Sequence, residues 1–133
     1  MDPQTVTAAL PLVLLLHGLG HGGAIAALAW IAFRPGGPTG DWRPARSWLL
    51  AGLPQTTATA VACTFWGVAL VGFVAAALAL AGILVPAEAL GPLALGSAVV
   101  SLTGIGLFAG TWPAFNTLAA IGVNLAVLTA VVR

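Results

Sequence analysis

A chain of 133 residues that is 60% hydrophobic and 5% charged, with a mean hydropathy of +1.09, cannot cover a soluble globule with water-loving side chains; soluble domains carry about 25% charged residues. The formal net charge of +1 excludes a basic nucleic-acid-binding face, and the length suits one compact unit rather than two domains. Cys63 is the lone cysteine, which excludes an intramolecular disulfide and a cysteine-based zinc site within one chain.

The opening MDPQTVTAALPL has an acidic residue and no positive n-region, so it reads as the start of a retained span and not as a secretory signal. From Thr7 to Phe33 no side chain is acidic or basic except His17 and His21. About 20 residues cross a hydrocarbon core, so this is the first expected span. RPGGPTGDWRPAR, Arg34 to Arg46, holds three of the four arginines, and its prolines and glycines cannot continue a helix. It is the first loop.

From Ser47 to Ala87 no residue is charged. One unbroken helix of that length would run roughly 60 Å, twice the core thickness. The break is placed at LPQTTAT, Leu53 to Thr59, where Pro54 removes a backbone donor. SWLLAGL then reads as a short interfacial helix, and Ala60 to Val85 as the second span. VPAEALGP is a tight turn around Glu88, followed by a third span over Ala89 to Ala109. GTWPAFN is the last turn, with Gly110 ending one helix and Pro113 at the start of the next. Ala114 to Val132 is the fourth span.

The expected fold is therefore all-α: a single transmembrane domain over 1–133, an up-down-up-down four-helix bundle with a short interfacial helix before the second span. Four spans put the Arg34–Arg46 loop and the Gly110–Pro113 turn on one side. The positive-inside rule then places that side in the cytoplasm and both termini outside. Trp30, Trp42, Trp48 and Trp112 fall near that boundary, as an aromatic belt would.

Function has few places to reside. His17 and His21, in HGLGHGG, stand four residues apart and so share one helix face near the middle of the first span. Ionisable groups at membrane depth are costly, and they point to a functional site by default. A metal is the first reading, since two imidazoles at this spacing bind one ion from one helix. It lacks donors, because Asp2, Asp41 and Glu88 lie in loops or at the terminus. A tetrapyrrole is the second, ligated axially by one imidazole with glycines leaving room for a flat ring. A quinone-type or proton-linked site is the third, with Asn124 in the fourth span and Ser101 and Thr103 in the third completing a midplane pocket. The structural alternative is that these polar groups only join helices, with Gly18 and Gly22 as a close-packing GxxxG. Cys63 in VACTFWG reads as a small apolar residue, since nothing near it would activate a thiol. Ser/His/Asp catalysis is excluded, as no carboxylate reaches membrane depth.

The HGxxH of His17, Gly18 and His21, the run FWGVALVGFVAAALALAG, and the hairpin TWPAFNTLAAIGVNLAVL with Trp112, Pro113 and Asn124 resemble a group of small bacterial four-helix membrane proteins, loosely similar to the DoxX-type proteins. The resemblance implies a bacterial inner-membrane bundle and hints at quinone-linked redox work. Gly22 and Gly23 depart from the bulkier residues that relatives carry after the second histidine. Two functions compete, and the sequence favours the first. It is an accessory or structural subunit of a larger membrane complex, with an electron-transfer complex as the candidate, possessing no catalysis of its own and touching lipid, other subunits or a second copy of itself. The other is a stand-alone membrane binding protein with a midplane site of His17, His21, Ser101 and Asn124 for a quinone, tetrapyrrole or metal.

Overall fold

The computed structural model describes residues 3–33 and 41–131, with side chains from residue 9 onward. Asp2, Arg34 and Arg133, and the first loop as far as Gly40, lie outside the described residues. Four helices make up the fold: α1 (Pro3–Phe33), α2 (Gln55–Leu80), α3 (Leu90–Leu107, entered through a single 3₁₀ turn at Ala87–Ala89) and α4 (Ala114–Val131). Each is long and apolar enough to cross a bilayer, as Ala9–Phe33, Gln55–Leu80, Ala87–Leu107 and Ala114–Val131. The outer surface agrees, with Phe33, Val71, Leu84, Phe115 and Leu118 all exposed. Apolar side chains on every face of a helix need lipid on the side that protein does not cover. This is a multi-pass membrane protein built as an all-α bundle of four helices.

Two features differ from the sequence reading. SWLLAGL is not an interfacial helix; Trp48 to Gly52 form turns held by Leu50 N–H to Ser47 Oγ (3.2 Å) and Leu53 N–H to Leu50 O (3.0 Å). The segment is instead fastened to its neighbours, which removes any need for helical hydrogen bonds of its own. Arg43 N–H donates to Thr111 O at 3.0 Å, the Trp48 indole N–H to Gly106 O at 2.8 Å, and Gln55 Nε2 to Ala45 O at 2.6 Å. The second difference is that α2 starts and stops earlier than Ala60–Val85. Pro54, at φ −54° and ψ 145°, sets the entry so that Gln55 begins the first turn. At the other end Gly82 turns left-handed (φ 69°), and Gly82 N–H bonds Ala79 O while Ile83 N–H bonds Leu78 O. That is a Schellman stop, and glycine reaches its positive φ without strain.

The helices pack in chain order, α1 on α2, α2 on α3 and α3 on α4. Small residues set the approach. A Cβ on Gly18 would stand 3.2 Å from Leu70 O and Phe73 Cβ of α2, and one on Gly104 would stand 2.8 Å from Phe65 Cβ. Gly72 of α2 receives Ser97 of α3 in the same way. Two apolar clusters result. One gathers Leu28, Trp66, Ile105, Phe108 and Ala120; the other gathers Leu14, Phe73, Ala76, Ala94 and Ala98.

Candidate functional site

Each helix that carries a candidate residue passes from one apolar cluster to the other, and the polar residue lies at the crossing. On α1, His17 and His21 fall between Leu14 and Leu28; on α3, Ser101 falls between Ala98 and Ile105. On α4, Asn124 falls between Ala120 and Val127. The fold thus brings all four into one polar layer at mid-span. Their side chains bond in series. Asn124 Nδ2 donates to Ser101 Oγ at 2.7 Å, leaving Asn124 Oδ1 to accept from His17 Nε2–H at 3.3 Å. Ser101 Oγ and His21 Nε2 lie 3.1 Å apart, a bond that either side can donate depending on the imidazole tautomer. Ser101 Oγ accepts from Asn124, and the assignment that also uses its hydrogen has His21 accepting at Nε2 and carrying its own hydrogen on Nδ1.

This burial is deep. His21 is 1% exposed, and Ser101 and Asn124 are fully buried. Phe73 of α2 forms a wall behind both imidazoles, 4.6 Å from the His17 ring and parallel to the His21 ring at 6.1 Å. Trp112, in the turn before α4, lies 5.3 Å from His21 and 5.1 Å from Trp66. Three buried side-chain nitrogens in this cluster have no partner among the described residues: His21 Nδ1, Trp66 Nε1 and Trp112 Nε1. A buried donor left unsatisfied costs about 1–3 kcal/mol, so three around one ring is a marked feature.

Beside the polar layer runs a groove of about 670 Å³ between α1 and α4, which do not form a packed pair. His17, His21, Gly20, Gly23, Trp112 and Asn116 line it, and Leu16 and Phe115 stand exposed at its edges. A Cβ at Gly20 or Gly23 would meet nothing within 4 Å, so these two glycines keep the groove wide. Trp42 joins the lining and packs 6.3 Å from Trp112.

The glycines of HGLGHGG therefore divide between two faces. Gly18 and Gly22 face α2, the latter 3.5 Å from a Leu70 methyl, whereas Gly20 and Gly23 face the groove. Thr103 does not join the site: it is exposed and bonds back to Val99 O at 2.8 Å. Trp112 is not part of a surface belt; it is 9% exposed and turned inward, while Trp48 is 70% exposed. Sequence reasoning missed Trp112, Trp66 and Phe73 as site residues. The available signal was WP at a helix start, which fixes the tryptophan one residue before Pro113 and so aims it across the bundle end.

For a metal, His17 and His21 offer poor geometry. The rings lie edge to face at 5.0 Å and 74°, and their Nε2 atoms bond to different helices. Among the described residues no group of three His, Cys, Asp or Glu assembles. A tetrapyrrole would need one of these Nε2 atoms released from its hydrogen bond. What the arrangement does offer is a neutral, hydrogen-bonding wall beside an apolar slot. The chain matches no family model, no curated protein and no solved structure.

Proposed function

We propose that this small membrane protein binds a lipophilic small molecule that enters the α1/α4 groove sideways from the bilayer. The observation that supports the reading is the series His17–Asn124–Ser101–His21, contributed by three helices and set on one wall of an open apolar slot. A purely structural polar layer has no need of a groove beside it, or of glycines that hold the groove open. Lipid-like ligands suit a site of this size, which lies within the usual 300–1,000 Å³ range of small-molecule pockets. Quinones fit this class, and tetrapyrroles or a metal fit it less well because both Nε2 atoms are engaged. The DoxX-like resemblance and a bacterial inner membrane are consistent with a lipophilic ligand, and we carry them as part of the proposal.

The competing role, an accessory subunit of a larger complex or a homo-oligomer, is favoured by α4. Of that helix only Ala120 and Asn124 are buried, so a neighbouring protein has room to cover it. One experiment separates the two. The protein is purified in mild detergent beside Gly20→Leu, and solvent extracts of both are compared by mass spectrometry, together with an absorption spectrum and metal analysis. The binding reading expects a lipophilic compound enriched near stoichiometry in the parent and lost in Gly20→Leu. Identical extracts containing only bulk lipid would overturn it, and a Soret band or stoichiometric metal would redirect it.

A further inference from the structure

The polar layer gives the groove a definite hydrogen-bonding sense. Asn124 donates to Ser101, and the tautomer assigned above then gives His21 an Nδ1–H, at an atom that has no partner among the described residues. Trp112 adds a second buried N–H without partner, on a ring 5.3 Å away and tilted by 56°. Both residues are more than nine-tenths buried, and both line the groove. Trp66 carries the third such N–H, but it stands against α3, where a Cβ on Gly104 would come within 3.2 Å, and it does not line the groove. His21 and Trp112 are therefore the two of these residues that border the slot.

We infer that the groove selects a neutral amphiphile with a carbonyl head, whose oxygen accepts from both His21 Nδ1–H and Trp112 Nε1–H; this rests on the ligand-binding reading above. A carbonyl oxygen has two lone pairs for two donors. A head that only donates would add hydrogens to a wall that already donates. An anionic head is disfavoured for a different reason. Among the described residues no charged side chain lines the groove, and Arg43 and Arg46 line a separate hollow with Gly110 and Thr111, so a carboxylate buried in the groove would lack a counter-ion and is strongly penalised. The tail needs no specific partner, since Val13, Leu16 and Val123 continue the groove as apolar wall.

The test uses the whole chain in lipid nanodiscs and three matched probes: prodan, a neutral naphthyl ketone; its analogue with a methylene in place of the carbonyl; and the corresponding naphthoic acid. Binding is read as tryptophan-to-probe energy transfer above that of the Gly20→Leu protein, and as movement of the isotope-labelled Trp112 indole resonance, assigned with Trp112→Phe. We expect the ketone to bind about a hundredfold tighter than its methylene analogue, about tenfold for each of the two buried hydrogen bonds. The Trp112 N–H should move downfield with the ketone alone. Trp112→Phe keeps the ring packing and should cost the ketone about tenfold while leaving the analogue unchanged; His21→Phe should do the same. Equal binding of all three probes, all blocked by Gly20→Leu, would overturn the carbonyl inference and leave the groove reading standing. Tightest binding of the acid would also overturn it. Failure of every probe to exceed the Gly20→Leu signal would remove both.

Discussion

Asn124 is the side chain on which the polar layer depends, because it alone in that layer comes from α4 and it bonds to both α1 and α3. Hydrogen bonds between membrane helices average about 0.6 kcal/mol each, and leaving buried partners unpaired raises the figure, so Asn124→Leu should destabilise the bundle by about 1–2 kcal/mol. The cost should be shared with Ser101. In a double-mutant cycle, adding Ser101→Ala to Asn124→Leu should cost clearly less than Ser101→Ala does alone, measured by reversible unfolding in mixed micelles. Additive costs would mean that the two side chains do not act in series. The four candidate residues were legible in the sequence because a polar group at mid-span has to find protein, whichever helix carries it. The choice between Ser101 and Thr103 was not legible. Two residues apart on a helix they point in nearly opposite directions, so only one can face inward, and the alanine- and glycine-rich surroundings give no periodicity to say which. Trp112 was misread for a related reason: tryptophan near a span end suits a lipid interface as well as a bundle end, and only the turn geometry before Pro113 separates the two.

Among the elements, α2 is the centre of the packing, touching α1 through Gly18 and α3 through Gly72 and Gly104. A membrane offers no hydrophobic drive between helices, so close van der Waals approach has to hold them, and a single added side chain at a contact is felt. Gly104→Leu should cost about 1–3 kcal/mol by overpacking against Phe65 and Trp66. Gly106→Leu, where a Cβ meets nothing within 4 Å, should change thermal stability little. Equal losses at the two positions would point to helix propensity rather than packing. The number of helices was readable from length and hydropathy alone, since charge and proline divide the chain into four apolar runs. Their ends were less so. Pro54 was recognised as a break, yet it starts α2 at once instead of after the threonines, because a proline before the first turn sacrifices no helical hydrogen bond. Gly82 was passed over in an apolar run, although a glycine followed closely by Pro86 is a regular signature of a helix stop. SWLLAGL had helical composition, and tertiary hydrogen bonds from Arg43, Trp48 and Gln55 overrode it.

For the molecule as a whole, chain-order packing has a geometric consequence. The segment from Asp41 to Pro54 and the turn before α4 share one end of the bundle, joined by Arg43 N–H to Thr111 O. The turn through Leu84 and Glu88 lies at the other end. Arg43 and Arg46 place positive charge at the first end. The positive-inside rule counts such residues in short loops, and on that basis we expect this end to face the cytoplasm and the Leu84 turn to face outward. Trp42 packs beside Trp112 at the same end, 6.3 Å between ring centroids. The orientation is open to one set of single-cysteine proteins built on Cys63→Ala, with cysteine placed at Ala51 or at Leu84, exposed positions at opposite ends of the bundle. In intact cells a membrane-impermeant maleimide should label Leu84→Cys and spare Ala51→Cys, and permeabilisation should restore labelling at Ala51→Cys. The reverse pattern would invert the orientation and leave the four-helix topology intact. Labelling of both positions before permeabilisation would contradict an odd number of crossings between them, and with it the role of α2 as a complete span.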